Sequence, residues 1–221
     1  MNSVKRLAAA RALDWMAAGW GYMTRMMQQA LALAAIVLAP TLLLVMLVSL
    51  RVGSVVFSVL IVFFLATISS YCRKLDHGEL LPRLRDQTEL VGSRGLWIVA
   101  AIAGAATLAL DLLSNTMDVY AHAASWSGLG LYFLFVKLLS LVLMMTLWLA
   151  PALIVLNGAG PVQAMKLSLL GTLRNFVPWC VFSLLAFVLC IVALIPLGMG
   201  MLVPLPCLAC AAYAAWRDQF A

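Results

Sequence analysis

Charge is what this sequence lacks. Asp, Glu, Lys and Arg make up 10% of its 221 residues, against about a quarter in an ordinary soluble domain. Histidine occurs only at positions 77 and 122, too few for a zinc cage without several cysteines as co-ligands. The five cysteines (Cys72, Cys180, Cys190, Cys207, Cys210) all lie inside or at the edge of apolar runs, which excludes an extracellular disulfide framework. No GxxxxGK, HExxH or GxSxG pattern occurs, so the usual signatures of phosphate-loop, zinc-protease and serine-hydrolase chemistry are missing.

What is present is apolar length. Two-thirds of the residues are hydrophobic and the mean hydropathy is +1.09, with runs long enough to span a bilayer rather than fill a core. Six candidate spans read off at about 30–50, 52–71, 96–114, 129–151, 176–196 and 198–216. From Phe176 to Arg217 no charge intervenes. A straight helix of that length would reach about 63 Å, twice the bilayer, so the chain must fold back. IPLGMGM, with Pro196, Gly198 and Gly200, supplies the break, and SLRVGS (49–54) the turn between the first two spans. Arg11, Asp14 and Arg25 interrupt everything before Ala30, so the first span reads as an uncleaved anchor rather than a signal peptide.

The basic residues then orient the chain. With the N-terminus inside, Lys5, Arg6, Arg11, Arg25, Arg73, Lys74, Arg83, Arg85, Arg94, Lys166, Arg174 and Arg217 are inside, twelve of the fourteen. Arg51 is outside and Lys137 within a span, while the longest external loop, NTMDVYAHAASWSG (115–128), has neither Lys nor Arg. That asymmetry predicts six spans with both termini cytoplasmic. The net charge of +6 is thereby a topology signal and no sign of nucleic acid. The division is one membrane domain: an amphipathic interfacial segment (1–29), hairpin 30–71, a cytoplasmic connection (72–95), hairpin 96–151, an amphipathic helix (152–175) and hairpin 176–217. In the first segment Leu7, Leu13, Trp20 and Met27 recur at helical spacing. In the fifth, Pro161 suits a helix start.

The first and last thirds look alike. Each runs from an amphipathic segment with a basic residue near its end (Arg25, Arg174) through two spans to an aromatic-then-basic tail, YCRKLD (71–76) and YAAWRD (213–218). That pattern suits an internal repeat, although any helical hairpin with basic ends gives a similar one. PALIVLNGAGPVQAMKLSLLGTLRNFVPW (151–179), with ALDWMAAGWGYM, YCRKLDHGEL and YAAWRDQF, resembles a family of uncharacterised six-span bacterial inner-membrane proteins. Its helix-plus-hairpin theme is similar to the membrane domain of some glycerophosphodiesterases. The resemblance implies location and fold, and no chemistry.

Three polar features invite a function. Lys137 lies about 12 Å below the outer surface, a costly depth for a charge. A pair with Asp111 of the preceding span is the leading reading; lone snorkelling to the outer headgroups, and a ligand or proton role, are the others. The CxxC at Cys207 and Cys210 reads as small apolar packing with Ala211 and Ala215 rather than a redox pair. In the third span Ala100, Gly104, Ala101 and Ala105 have the spacing that lets helices approach closely. The inside-facing Lys5, Arg6, Arg11, Arg25, Arg73, Lys74, Lys166, Arg174 and Arg217 suit anionic lipid headgroups. The sequence thus predicts a non-enzymatic, cofactor-free scaffold or accessory protein that binds anionic lipid, with a membrane-protein partner or a second copy as companion. The rival is a small transporter with a midplane cavity around Lys137, Asp111, Asn115 or Ser140.

Overall fold

A computed structural model describes residues 4–82, 88–121, 126–194 and 199–221. Arg83, Arg85, Asp86, His122, Pro196 and Gly198 fall outside the described residues, as does the side chain of Glu89. The described elements are all helical: α1 (Arg11–Arg25), α2 (Met27–Leu47), α3 (Leu50–Asp76), α4 (Thr88–Val91), α5 (Arg94–Ala121), α6 (Trp126–Trp148), α7 (Ala150–Asn157), α8 (Pro161–Arg174), α9 (Phe176–Leu194) and α10 (Pro204–Phe220), with a 3-10 turn at Met199–Leu202. Five stretches are long and apolar enough to cross a membrane: Met27–Leu47, Leu50–Asp76, Arg94–Asn115, Leu134–Asn157 and Phe176–Ala193. The expected sixth, 198–216, is not among them; the helix there, α10, begins only at Pro204. Pro204 and Pro206 occupy the first turn of α10, where a missing N–H costs nothing. At seventeen residues, about 25 Å, α10 is the shortest of these rods and the most enclosed.

The first turn also differs from SLRVGS. Only Val48 and Ser49 separate α2 from α3, and the Ser49 hydroxyl accepts from the Val52 N–H at 3.3 Å, a helix cap. Gly53 is therefore inside α3. Its use is proximity: a Cβ there would stand 2.2 Å from Val45 Cγ2 of α2. The last turn uses glycine likewise, since a Cβ on Gly200 would meet the Ala193 carbonyl oxygen at 2.3 Å.

At the centre α3 packs on α10 and α7, while α2 and α5 flank α3. Gly104 of α5 faces Val59 and Val55 of α3, and Ala100 beside it is fully buried. Ala100 and Gly104 thus serve a close contact, whereas Ala101 and Ala105 are exposed and the helix at the middle is α3. Around this centre α1 lies on α10, α8 on α6 and α7, and α4 on α3. Two breaks match: α1 passes into α2 at Met26 (φ −126°, ψ 35°) and α8 into α9 at Asn175 (φ −114°, ψ 40°), each just after the arginine that marks the sequence similarity.

Candidate functional site

Both α3 and α10 carry an aspartate in their last turn, Asp76 and Asp218, an unfavourable place for an anion because a helix C-terminus is already negative. Each is held by donors from elsewhere. Asp76 receives the Tyr22 hydroxyl on Oδ1 at 2.5 Å, and the Tyr213 hydroxyl on Oδ2 at 2.8 Å. The Arg217 guanidinium adds a contact to Oδ2 at 3.0 Å and donates to the Tyr22 hydroxyl at 2.5 Å. Asp218 accepts from Trp15 Nε1 at 3.0 Å and pairs with Arg11 at 3.2 Å. Trp15 and Tyr22 are seven residues apart, two turns along one face of α1. The two aspartates therefore clamp the same stripe of that helix.

Aromatic contacts close the clasp. Tyr22 meets Tyr213 edge-on with ring centroids 5.5 Å apart, Trp216 stacks on Tyr213 at the same distance, and Trp216 Nε1 donates to Asn157 Oδ1 at 2.9 Å. Burial, followed by the hydrogen bond to Asp76, pushes the Tyr22 phenol well above its usual range, so it stays a proton donor. Beneath lie Gly19 and Ala211, so close that a Cβ on Gly19 would be 2.6 Å from the Cys207 carbonyl oxygen. Cys207 and Cys210 are buried here as packing residues, among Ala211 and Ala215.

A second polar knot joins the chain's two ends. Asn175 accepts from the Leu7 N–H at 2.8 Å and donates to the carbonyls of Lys5 at 2.9 Å and Gly171 at 3.2 Å. The Lys5 N–H donates to the Gln219 carbonyl at 3.3 Å. With its amide turned so that both neighbours are satisfied, Gln219 donates to the Gly171 carbonyl and accepts from Trp179 Nε1, both at 3.2 Å. A third polar tie spans the α6–α7 break: the Ser168 hydroxyl accepts from the Leu149 N–H at 3.2 Å and donates to the Met145 carbonyl at 2.7 Å.

The residues singled out in the sequence fare differently. Three ion pairs join described residues: Arg11 with Asp14, Arg11 with Asp218, and Arg217 with Asp76. Lys137 with Asp111 is not one of them. Asp111 lies on the face of α5 turned to α3 and accepts from the Ser54 hydroxyl at 2.9 Å. Lys137 is on the exposed side of α6, among Leu134, Phe135, Leu138 and Leu141. Of the nine basic residues expected at headgroups, eight are exposed and Lys74 is half-buried, with Arg11, Arg73 and Arg217 also engaged within the protein. The apolar stripe of the first segment faces away from the protein, as a helix lying in the headgroup region requires. Leu13, Trp20 and Met27 are outside, with Trp20 54% exposed, while Ala12, Trp15, Gly19, Tyr22 and Met23 are buried and Trp15 is 1% exposed. Tyr22, Asp76, Tyr213, Asn157, Asn175 and Ser168 carry the polar structure, and sequence reasoning assigned none of them a partner. The signal was there in the two tails and the Arg-Asn pair, but nothing in a linear chain states which tail meets which helix.

Comparison with models of protein families, with curated proteins and with solved structures finds no match to the chain. The resemblance to six-span inner-membrane proteins therefore rests on its motif residues alone. Several of those have definite work here. Pro151 and Pro161 start α7 and α8, Ala164 is fully buried against its neighbours, and Ser168 and Asn175 make the ties above.

Proposed function

We propose that this chain is a non-enzymatic scaffold or accessory protein of the bacterial inner membrane, in which α10 forms a sixth span. The pairs α2–α3, α5 with α6–α7, and α9–α10 make three hairpins, each preceded by a short amphipathic element that docks on a neighbouring hairpin. Both termini and the basic end are cytoplasmic, where twelve Lys and Arg residues attract anionic headgroups.

The observation that carries the reading is the way the basic end closes on itself. Both Asp76 oxygens, Asn175 and Ser168 take partners from distant parts of the same chain. Such a set locks an architecture, since buried polar groups with satisfied bonds specify one packing. A solute path around Lys137, Asp111, Asn115 and Ser140 would need a cavity there. Among the described residues, a cleft of about 360 Å³ is lined by Arg73 and its neighbours, some 28 Å further along α3 than Ser54.

Isolation of the full chain in its native lipid, with mass spectrometry of what accompanies it, tests the assignment. A membrane protein recovered in fixed stoichiometry supports a scaffold. Saturable uptake of a small solute by liposomes holding this chain alone would overturn it in favour of transport.

A further inference from the structure

Beside the clasp, the last two turns of α3 present a second polar face. Ser70, Arg73, Lys74 and His77 follow three-and-four spacing and so share one side of the helix. With Val155 and Leu156 of α7 they line an open cleft of about 360 Å³, at the lower end of the roughly 300–1,000 Å³ of small-ligand sites. Its shape has built-in supports. The Arg73 guanidinium donates to the Leu156 carbonyl at 2.9 Å, one of the last-turn carbonyls that α7 cannot satisfy internally. Gly78, at φ +68°, reverses the chain beyond α3, and the Glu79 N–H returns to the Lys74 carbonyl at 2.9 Å. Among the described residues, Glu79 is the one acidic side chain on the wall.

We propose that this cleft binds a phosphate-bearing anion, the headgroup of an anionic glycerophospholipid or a soluble phosphate ester. Arg73, Lys74 and His77 bring donors from one helix face to a single concavity, which matches the several acceptor oxygens of a phosphate. Val155 and Leu156 give the opposite wall an apolar surface, suited to the glycerol and first methylenes below a headgroup. A merely solvated mixed-charge surface would need neither the concavity nor that wall. The inference rests on the membrane reading above and assigns one site on the basic end.

The test uses the full-length protein in nanodiscs of zwitterionic lipid. Increasing amounts of phosphatidylglycerol are incorporated, and retained lipid is counted by native mass spectrometry. Glycerol phosphate is titrated separately. K74Q/H77Q alters the cleft and spares the Arg73–Leu156 bond, while R51Q removes an exposed charge at the other end of α3. The expected result is one saturable site that the cleft variant weakens about tenfold and the control variant leaves at wild-type affinity. Saturation by the lipid alone identifies a headgroup. Equal competition by glycerol phosphate identifies a soluble ester, and either supports the site. Absence of saturable binding, or equal weakening by both variants, overturns it. Failure of the wild-type chain to remain in membranes after alkaline carbonate extraction would instead sink the membrane reading.

Discussion

Asp76 and Arg217 look like a salt bridge, yet the side chains are 26% and 43% exposed, and pairs this open contribute at most about 1 kcal/mol. The phenols matter more, because each donates to a carboxylate from a partly buried position. Asp76→Ala is therefore expected to destabilise the protein by on the order of 3 kcal/mol, and Arg217→Gln by under about 1 kcal/mol. Thermal melts in one detergent compare them; equal losses would mean the ion pair, not the phenols, holds the clasp. Asn175 makes a sharper case. It precedes α9, where a negative side chain gains about 0.3–1 kcal/mol from the helix dipole. It also donates to the Lys5 and Gly171 carbonyls while buried, and a carboxylate there would repel both at a cost of about 2–3 kcal/mol. Asn175→Asp should consequently lower the melting temperature, and an unchanged or higher value would refute the donor role. At this scale the sequence was legible in kind but not in pairing. YCRKLD and YAAWRD were visible as matching tails, whereas their joint dependence on Tyr22, about fifty residues before one and nearly two hundred before the other, is a property of the fold.

Helices α1 and α8 share a feature that runs against soluble-protein intuition. Small or polar residues sit on the buried faces of both, Ala12 and Gly19 on α1 beside the buried Trp15 and Met23, and Ala164, Ser168, Gly171 and Thr172 on α8, while Leu13, Trp20, Leu170 and Leu173 are outside. In lipid, large apolar side chains gain nothing by leaving the surface, and helices approach best through small ones. The heavy-residue stripe read from the sequence is thus a real periodicity, and it lies on the side of α1 turned away from the protein. The same logic distinguishes two neighbouring glycines. Gly19→Ala forces a Cβ against the Cys207 backbone and is expected to cost about 1–3 kcal/mol. Gly21 has nothing within 4 Å of its would-be Cβ, so Gly21→Ala should gain up to about 1 kcal/mol from helix propensity. Guanidinium or SDS titration of the two variants checks the signs, and a loss at both positions would contradict the packing of α1 on α10. Span boundaries, set by hydropathy, were legible within about six residues for the five long stretches. The start of α10 was not, because a 3-10 turn and two prolines use up residues that composition alone assigns to the span.

For the molecule as a whole, helix ends bearing most of the Lys and Arg gather at one end, bound there by the clasp, the Asn175 knot and the Trp216–Asn157 bond. The N-terminal segment touches the C-terminal helix directly through Lys5 and Gln219. Composition was enough to expect this sorting, since each basic residue had only two sides to choose between. The identity of α3 as the central helix was not expected, because burial within lipid leaves no hydropathy signal. The central claim is that the basic end faces the cytosol. A single cysteine at Ser125, in a chain whose native cysteines are replaced by alanine or serine, measures it directly with a membrane-impermeant maleimide. Labelling in intact spheroplasts, alongside protection of a cysteine placed at Lys166 until lysis, is the predicted result. Protection at 125 with labelling at 166 in unbroken cells would contradict the account.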